Sequence, residues 1–292
     1  MITAPTPHLS LVIVAYDMGS QVVRTIRSLS PGSQHGVERE DYELVVVDNG
    51  SPEPIDRAAC ESWGADIRWV RVEDAPPSPA RAVNLGIAEA RGSIVGVMVD
   101  GARLASPGLL RCAELGARLG ERALIASHGY HLGFQLQQKA AAFGYDSKSE
   151  AALLAESGWE EDGYRLFDVS VPGGSTRSGP FDMPHESNAL FMTKEMWEEL
   201  GGFDEAFASP GGGLVNIDAL ARALALPDVV PVLMVGEGTF HQVHGGATTN
   251  RELSDERWAE LYGEYLEVRG KPFEMPAADP LFVGVHPPPG NS

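Results

Sequence analysis

Three short apolar runs in the first part of the chain each end on polar side chains. They are LVIVAYD (residues 11–17), LVVVDNGS (44–51) and VGVMVDGA (95–102). A short run rich in Val, Ile and Leu is typical of a strand buried on both faces of a parallel sheet. Ligands of open α/β sheets bind outside the carboxyl ends of the strands, so the polar residues at the three ends are expected to meet in one crevice. They are Tyr16, Asp17, Asp48, Asn49 and Asp100.

Strand and helix signals alternate through the first half. Strands are predicted near 9–15, 43–48, 67–73, 94–99 and 123–127, and helices near 20–29, 54–63, 79–91 and 107–119. This rhythm predicts an α/β fold with a mostly parallel sheet flanked by helices. We expect one domain over residues 1–271, with a first half at about 9–128 and an inserted region at about 129–185 that covers the carboxyl edge of the sheet.

The second half of that domain is predicted at about 186–250. Strands are expected at 187–193 and 229–235, with helices at 194–200 and 215–226. A C-terminal helix at about 254–268 is opened by Ser254 as its cap. The proline-rich tail, 272–292, is expected to be extended or mobile.

Composition excludes several classes of partner. The chain has 292 residues and a net charge of −19, which argues against nucleic-acid binding and against anionic lipid surfaces. No run approaches the roughly 20 apolar residues of a membrane span, and no basic leader segment opens the chain. Cys60 and Cys112 fit a reduced chain without a disulfide. A cytoplasmic location is expected, with peripheral attachment to the inner membrane left open.

Two common nucleotide-binding motifs are missing. A dinucleotide-binding domain needs a glycine-rich turn after its first strand, but AYDMGS holds one glycine, Gly19. No GxxxxGK[ST] loop occurs either. Phosphates are therefore expected to be held in another way, and a metal ion on Asp100 is the simplest one.

Four segments together resemble glycosyltransferase family 2, whose members have the GT-A fold. LSLVIVAYD is similar to the family's opening strand, LVVVDNGS to its VVDDGS element, and PARAVNLGIAEARGSIVGVMVDGA to the element that ends in its Asp-x-Asp motif. GGFDEAF (201–207) resembles the family's GGFDE. The order and spacing also match, over about residues 9–247.

The resemblance implies a site for a nucleoside-diphosphate sugar of the UDP, dTDP or GDP type. Asp48 would accept a hydrogen bond from the base, or it would only cap the following turn. Arg81 would bind the diphosphate, or it would be a solvated helix residue. The residues implied to line this donor site are Ala15, Tyr16, Asp48, Asn49, Arg81, Asn84, Val99, Asp100 and Gly101.

The same resemblance implies a divalent metal ion, Mn²⁺ or Mg²⁺. Asp100 takes the place of the first aspartate of Asp-x-Asp, but Ala102 replaces the second. His244, with His241 behind it, is the candidate to complete the ligand set, and imidazole suits Mn²⁺ better than Mg²⁺. Both histidines could instead be structural.

A general base for an inverting transfer is harder to assign. The family takes an aspartate from ED-x-DL-x-x-R, but aligning its arginine on Arg222 puts Asn216 at that position. Asn cannot act as a base. Asp218 could serve after a register shift, Glu186 could reach the acceptor, or the reaction could follow another route.

The leading hypothesis is thus metal-assisted sugar transfer to a hydroxyl of a glycan, a lipid carrier or a small metabolite. The alternative is a sugar-nucleotide-binding protein without efficient transfer, which the departures at Ala102 and Asn216 motivate. A nucleotidyltransferase is disfavoured because the first turn is neither basic nor glycine-rich. Acceptor choice is expected to reside in 129–185, where four aromatic residues could stack on a sugar or form a local core: Tyr130, Trp159, Tyr164 and Phe181. A homo-oligomer is allowed, but no feature indicates one.

Overall fold

The computed structural model describes residues 7–244 and 254–284. Within these residues, ten strands form one sheet and nine α-helices accompany it. The strands are β1 (Leu9–Ala15), β2 (Tyr42–Asp48), β3 (Ile67–Arg71), β4 (Ile94–Met98), β5 (Arg103–Ala105), β6 (Ala123–Leu132), β7 (Ser170–Pro172), β8 (Leu190–Thr193), β9 (Val230–His241) and β10 (Leu281–Val283). The helices are α1 (Gly19–Ser28), α2 (Arg57–Glu61), α3 (Ala80–Glu89), α4 (Leu109–Ala117), α5 (Gln137–Ala142), α6 (Ser147–Ser157), α7 (Lys194–Leu200), α8 (Val215–Leu224) and α9 (Asp255–Arg269).

The sheet has the order β10-β9-β6-β8-β4-β1-β2-β3. Along this path, β8 runs antiparallel to both of its neighbours and every other pair is parallel. The short strands β5 and β7 pair antiparallel with β9 and β6. The α/β fold with a mostly parallel sheet is confirmed.

Apolar clusters cover both faces of the sheet. Alternate residues of β1 point to opposite sides, so Val12 and Val14 join a core under α3, α8 and α9, while Leu11 and Ile13 join a core under α1 and α4. All seven residues of β1 are buried. Each fully buried Val or Leu contributes about 1.5–3 kcal/mol, which explains why the central strands read as continuous apolar runs.

Helix ends follow the expected local chemistry. The side chain of Ser254 accepts a hydrogen bond from the Arg257 amide and begins α9, as predicted. Thr193 caps α7 in the same way, and α7 ends at Gly201, whose φ is 72°. These caps set where each helix starts and stops, and therefore which of its faces meets the sheet.

Several elements differ from their predicted bounds. The predicted helix 54–63 is helical only over Arg57–Glu61, since prolines precede it. The strands expected at 123–127 and 229–235 extend to Leu132 and His241, because after a register shift they pair again, His128–His131 with Gly238–His241. Neither β5 nor β7 was predicted, and each has only three residues.

The tail and the domain division complete the comparison. Residues 281–283 of the proline-rich tail are not unpaired chain but an edge strand parallel to β9. The division into two halves and an insertion stays a prediction. Residues 245–250 of the predicted second half and 285–292 of the predicted tail lie outside the described residues. None of the helices in 7–244 or 254–284 has the length and apolar character that crossing a membrane requires.

Candidate active site

A cleft of about 1340 Å³ opens at the carboxyl ends of β1, β2 and β4. Four of the five polar residues predicted to converge there line it: Tyr16, Asp17, Asn49 and Asp100. The fifth, Asp48, faces a neighbouring cavity of about 490 Å³. Of the other predicted site residues, Val99, Glu186 and His244 also line the cleft.

Asp100 and two histidines form a cluster at the floor of this cleft. The Oδ2 atom of Asp100 lies 2.6 Å from Nε2 of His241 and 3.4 Å from Nε2 of His244. The two Nε2 atoms are 3.2 Å apart. Ligands at about 2.1 Å from a six-coordinate cation lie about 3 Å from one another, so these spacings match one face of a coordination shell. Among the described residues, this is the one group of three metal-binding side chains.

A glutamine from α5 orients His241. Nδ1 of His241 donates to Oε1 of Gln137 over 2.5 Å, while Nε2 of Gln137 donates to the His241 carbonyl oxygen over 2.9 Å. The second bond fixes which end of the amide faces the ring. The neutral imidazole must therefore carry its proton on Nδ1 and present the Nε2 lone pair to Asp100. Histidines that bind metals are held in this manner by a partner on their other nitrogen.

The ionisation of the cluster favours a cation. Burial lowers the pKa of His241 to about 4, so this ring is neutral at pH 7. Burial alone would raise the pKa of Asp100, but the two imidazoles hold it well below its usual range. Burial also acts on His244, yet the Asp100 carboxylate outweighs it and raises the pKa of that ring. An ionised carboxylate thus faces a lone pair at close range, an arrangement that a proton on His244 or a bound cation stabilises.

The position of the missing second aspartate is closed by packing. Ala102 is fully buried, and its amide donates to Oδ1 of Asp100 over 2.9 Å. At Gly101, an added Cβ would lie 3.0 Å from the Cβ of Ala15 and 3.0 Å from the Val14 carbonyl oxygen. Gly101 and Ala15 therefore shape the floor beneath Asp100 without lining the cleft. His241, from a strand more than a hundred residues away, lies beside Asp100 instead.

The residues after His241 are anchored on several sides. The Val243 amide donates to both carboxylate oxygens of Glu150 in α6, at 3.0 and 2.8 Å. The Gln242 amide donates to the Ala102 carbonyl, and the Gln242 side chain accepts from Arg24. Two residues of the insertion, Gln137 and Glu150, thus hold the strand end that presents the histidines.

Glu186 also lines the cleft. Its side chain keeps 38% of its surface exposed, and Oε1 lies 4.0 Å from Nη2 of Arg103. Burial of the carboxyl group and the negative charge of Asp100 raise the pKa of Glu186, while Arg103 acts in the opposite direction. A carboxylate with a raised pKa, open to the cleft, has the properties of a general base.

Asp218, the other predicted base, is not brought to the cleft. It is 1% exposed. Oδ1 accepts from Nε of Arg269 at 2.5 Å, and Oδ2 accepts from Nη2 of Arg269 at 2.6 Å and from Nε of Arg222 at 2.8 Å. Successive helix residues are rotated by about 100°, so Asn216, two positions earlier on α8, faces the cleft instead. The structure thus holds the Asp218 carboxylate in an internal ion-pair network.

The Asp48 carboxylate is engaged by its own neighbourhood. Oδ1 accepts from the Ser51 amide at 2.8 Å, and Oδ2 binds Arg71. The contact with the Ser51 amide fits the interpretation of Asp48 as a turn cap, whereas the contact with Arg71 goes beyond it. Arg71 lines both the large cleft and the smaller cavity, so the pair sits at the boundary between them.

Arg81 and Asn84 do not line the cleft. Arg81 is exposed on α3, as its alternative interpretation expected. Asn84 connects α3 to the GGFDE segment: it donates to the Phe203 carbonyl oxygen at 2.9 Å and accepts from the Phe203 amide at 2.8 Å. The segment that carries Asn84 and the GGFDE segment therefore pack against each other.

Four cations that the sequence did not single out line the cleft: Arg71, Arg103, Lys139 and Arg177. Arg103 could have been suspected from its place directly after Asp-Gly-Ala, whereas the others depend on long-range folding. Of the four aromatic residues predicted for 129–185, Trp159 and Tyr130 pack with Phe240 in a local core, and only Phe181 is exposed, at 61%.

Comparison with known families supports the resemblance. A model of the family described as "Glycosyl transferase family 2" matches residues 10–100. Validoxylamine A glucosyltransferase of Streptomyces hygroscopicus subsp. jinggangensis (strain 5008) is 24% identical over 286 residues, which cover 90% of this chain and 63% of that protein. The protein of the same name from subsp. limoneus is also 24% identical, with 59% of its length covered. The chain thus spans about three-fifths of the relatives it matches.

Solved structures confirm the fold. S. aureus TarS 1-349 in complex with UDP-GlcNAc superposes with a TM-score of 0.54 at 12% identity, covering 88% of this chain and 66% of that one. S. aureus TarS 1-349 without a named ligand gives a TM-score of 0.52 at 11% identity, covering 89% and 72%. The predicted GT-A fold is confirmed, and the family model supports the predicted resemblance to glycosyltransferase family 2 over residues 10–100.

Proposed function

We propose that this chain, a glycosyltransferase of family 2, transfers a sugar from a nucleoside diphosphate to an acceptor hydroxyl with the help of a divalent cation. The observation that carries the proposal is the shared cleft. It brings the cluster of Asp100, His241 and His244 together with the partly exposed carboxylate of Glu186, at the edge of the sheet where α/β proteins bind ligands.

The charge pattern of the cleft supports a diphosphate donor. Although the chain as a whole carries a net charge of −19 and five acidic side chains line the cleft, four basic side chains line it as well. Charge-assisted hydrogen bonds to phosphate oxygens are their natural role. Tyr16 and Asn49 would contact the base or ribose, and the Asp48–Arg71 pair would border the base. UDP is the first candidate, because TarS was solved with UDP-GlcNAc; dTDP and GDP are the alternatives.

The ligand set fits a divalent cation. Asp100, His241 and His244 would hold it, and the cation would neutralise charge on the leaving diphosphate. Two imidazole donors with one carboxylate suit Mn²⁺ better than Mg²⁺, which prefers oxygen ligands. Gln137 would keep His241 in the ligand tautomer, and Glu150 would keep the following backbone in place.

Glu186 would act as the base. Its carboxylate would remove the proton of the acceptor hydroxyl as that oxygen forms its bond to the anomeric carbon and the bond to the diphosphate breaks. Direct displacement of this kind inverts the anomeric configuration. Arg103, 4.0 Å from Glu186, would help to keep the carboxylate ionised between reaction cycles.

The names of the relatives point to the sugar class. Both describe glucosyl transfer to validoxylamine A. They support a hexosyl donor and favour a small hydroxylated metabolite as the acceptor here over a glycan or a lipid carrier.

Calorimetric titration tests the donor site. UDP, dTDP and GDP would each be titrated with and without Mn²⁺ into the wild type, Asp100→Asn and Asp17→Asn. The expected result is Mn²⁺-dependent binding of one nucleotide, lost in Asp100→Asn and retained in the control, which changes a second carboxylate of the same cleft. If no diphosphate binds under any condition, the proposal fails. Binding without donor hydrolysis or transfer would instead indicate a sugar-nucleotide-binding protein.

A further inference from the structure

Three aromatic rings form a ladder along one side of α9. The rings of Trp258 and Tyr262 have centroids 6.2 Å apart and planes 14° apart, and those of Tyr262 and Tyr265 are 6.2 Å and 8° apart. Tyr265 is buried at 4% exposure, whereas Trp258 keeps 48% of its surface open. The three stacked rings therefore extend from the core to the surface, where the indole ring of Trp258 is exposed.

The indole ring of Trp258 lies in the wall of the cleft. Trp258 and Tyr262 line it together with Phe273, Leu214 and Ile217, so this part of the wall is apolar, unlike the charged floor. A large exposed tryptophan ordinarily loses side-chain freedom when a ligand binds. Here the ring already stacks on Tyr262 before a ligand binds, and preorganisation of this kind strengthens binding.

Polar contacts hold helix α9, which carries Trp258, against its neighbours. Glu264, also on α9, accepts hydrogen bonds from the amides of Ala208 and Ser209, each at 2.8 Å. Arg269, near the end of the helix, binds Asp204 and Asp218. The helix is thereby attached both to the loop before α8 and to α8 itself, which carries Asn216.

Asn216 supplies an unused polar atom beside this apolar wall. Its Oδ1 is buried, and the described residues provide no hydrogen-bond partner for it. Asn216 lines the same cleft, so this unpaired oxygen belongs to a side chain of the wall that a ligand would contact. Pockets for small ligands commonly combine an apolar wall with a few placed polar groups of this kind.

We propose that Trp258 and Asn216 form the acceptor subsite, which takes a six-membered polyhydroxylated ring, a sugar or a cyclitol. One face of such a ring presents C–H groups that pack flat on the indole, and its rim presents hydroxyls, one of which donates to Oδ1 of Asn216. This subsite rests on the proposed transfer function and names its acceptor class. It also places acceptor recognition on α8 and α9 rather than on the insertion 129–185.

Proton–nitrogen NMR of the tryptophan indoles in the full chain tests the subsite. The probes are myo-inositol and methyl α-glucopyranoside, with sorbitol as an open-chain polyol of equal hydroxyl count to inositol. Trp258→Phe identifies the Trp258 signal. Trp63 is an internal control, because it is 37% exposed but lies against Arg27 and does not line the cleft.

The expected result is a saturable shift of the Trp258 signal with the ring probes and not with sorbitol, while the Trp63 signal stays constant. Asn216→Ala should weaken the affinity for the ring probes about fivefold, which is the contribution of one neutral hydrogen bond. In transfer assays, Trp258→Ala should raise the acceptor KM and leave UDP affinity unchanged.

Three outcomes would overturn the subsite: no saturable shift with either ring probe, an equal shift with sorbitol, or a shift with UDP alone and none with the rings. The last outcome would show that Trp258 contacts the nucleobase of the donor instead of the acceptor. Loss of nucleotide binding in the calorimetric test, with the ring-probe shift intact, would instead reject the donor site and not the aromatic subsite.

Discussion

Gln137 and His241 bind each other in both directions, ring nitrogen to amide oxygen at 2.5 Å and amide nitrogen to backbone carbonyl at 2.9 Å. This pair decides which nitrogen of His241 is available to Asp100. Gln137→Leu should therefore lower Mn²⁺ affinity by about 10–100-fold, the usual cost of removing a partner of a metal-binding histidine.

The measurement is Mn²⁺ titration followed by calorimetry or by paramagnetic relaxation of water. Gln135→Leu, an exposed glutamine two positions earlier, is the matched control and should bind Mn²⁺ as the wild type does. Equal affinity in both variants would show that His241 needs no such orientation.

Glu186→Gln should reduce kcat by about 10²–10⁴-fold, the contribution of a general base. The amide has the shape of the carboxylate but cannot take a proton. Donor affinity should be unchanged, because Glu186 is separate from the three proposed ligands. A variant that keeps its kcat would remove Glu186 from the mechanism.

The rate should also depend on pH in one direction. Burial and the charge of Asp100 raise the pKa of Glu186, and a base works only when ionised. As pH falls through that raised pKa, the carboxylate takes up a proton and kcat at saturating donor should fall about tenfold per pH unit. The residual activity of Glu186→Gln should lack this acid limb; an identical limb in the variant would assign it to another group.

Asp218→Asn should act on stability rather than on chemistry. The carboxylate is buried and pairs with Arg222 and Arg269, so removing its charge leaves Arg222 without a carboxylate partner and Arg269 with Asp204 alone. Breaking a buried pair costs about 3–5 kcal/mol. Denaturant unfolding should show this loss, and kcat of the folded fraction should stay near the wild-type value. A stable variant with abolished turnover would restore Asp218 as the base.

Ala102→Asp recreates the sequence Asp-x-Asp, yet we expect it to destabilise the protein. Ala102 has no exposed surface, and an unpaired buried charge costs about 3–5 kcal/mol. Ala102→Asn introduces a side chain of the same size as Asp but without its charge, and it should be less destabilised. Comparing the thermal unfolding of the two variants therefore separates the effect of the buried charge from that of the added volume. Wild-type stability with tighter Mn²⁺ binding in Ala102→Asp would contradict the packing argument.

The central strands and their polar ends were predictable because burial on both faces leaves a continuous apolar pattern in the sequence. Tyr16, Asn49 and Asp100 follow such strands directly, so their place in the cleft could be inferred. Asp218 shows the limit of this reasoning. On a helix, a shift of two residues turns a side chain to nearly the opposite face, and the motif alignment alone could not tell which of Asn216 and Asp218 faces the cleft.

Other parts of the site depend on contacts between distant segments. Gln137 meets His241 across 104 residues, and Glu150 meets Val243 across 93. Neither Gln137 nor Glu150 belongs to a motif. Each lies in a short helix, and the local sequence predicts the helix but not the distant contact that its side chain makes. The strand that carries His241 was also predicted too short, because its second half is stabilised by pairing with β5 and β6 rather than by an apolar run.

The anchoring of the histidine segment by α5 and α6 has a consequence for protein engineering. Because Gln137 and Glu150 belong to the region that looks most like an interchangeable module, replacing that region with one from a relative would also remove the supports of His241 and Val243. A chimera built to change specificity would then lose cation binding first. Only a graft that retains a glutamine and a glutamate at these two points would leave the donor chemistry intact.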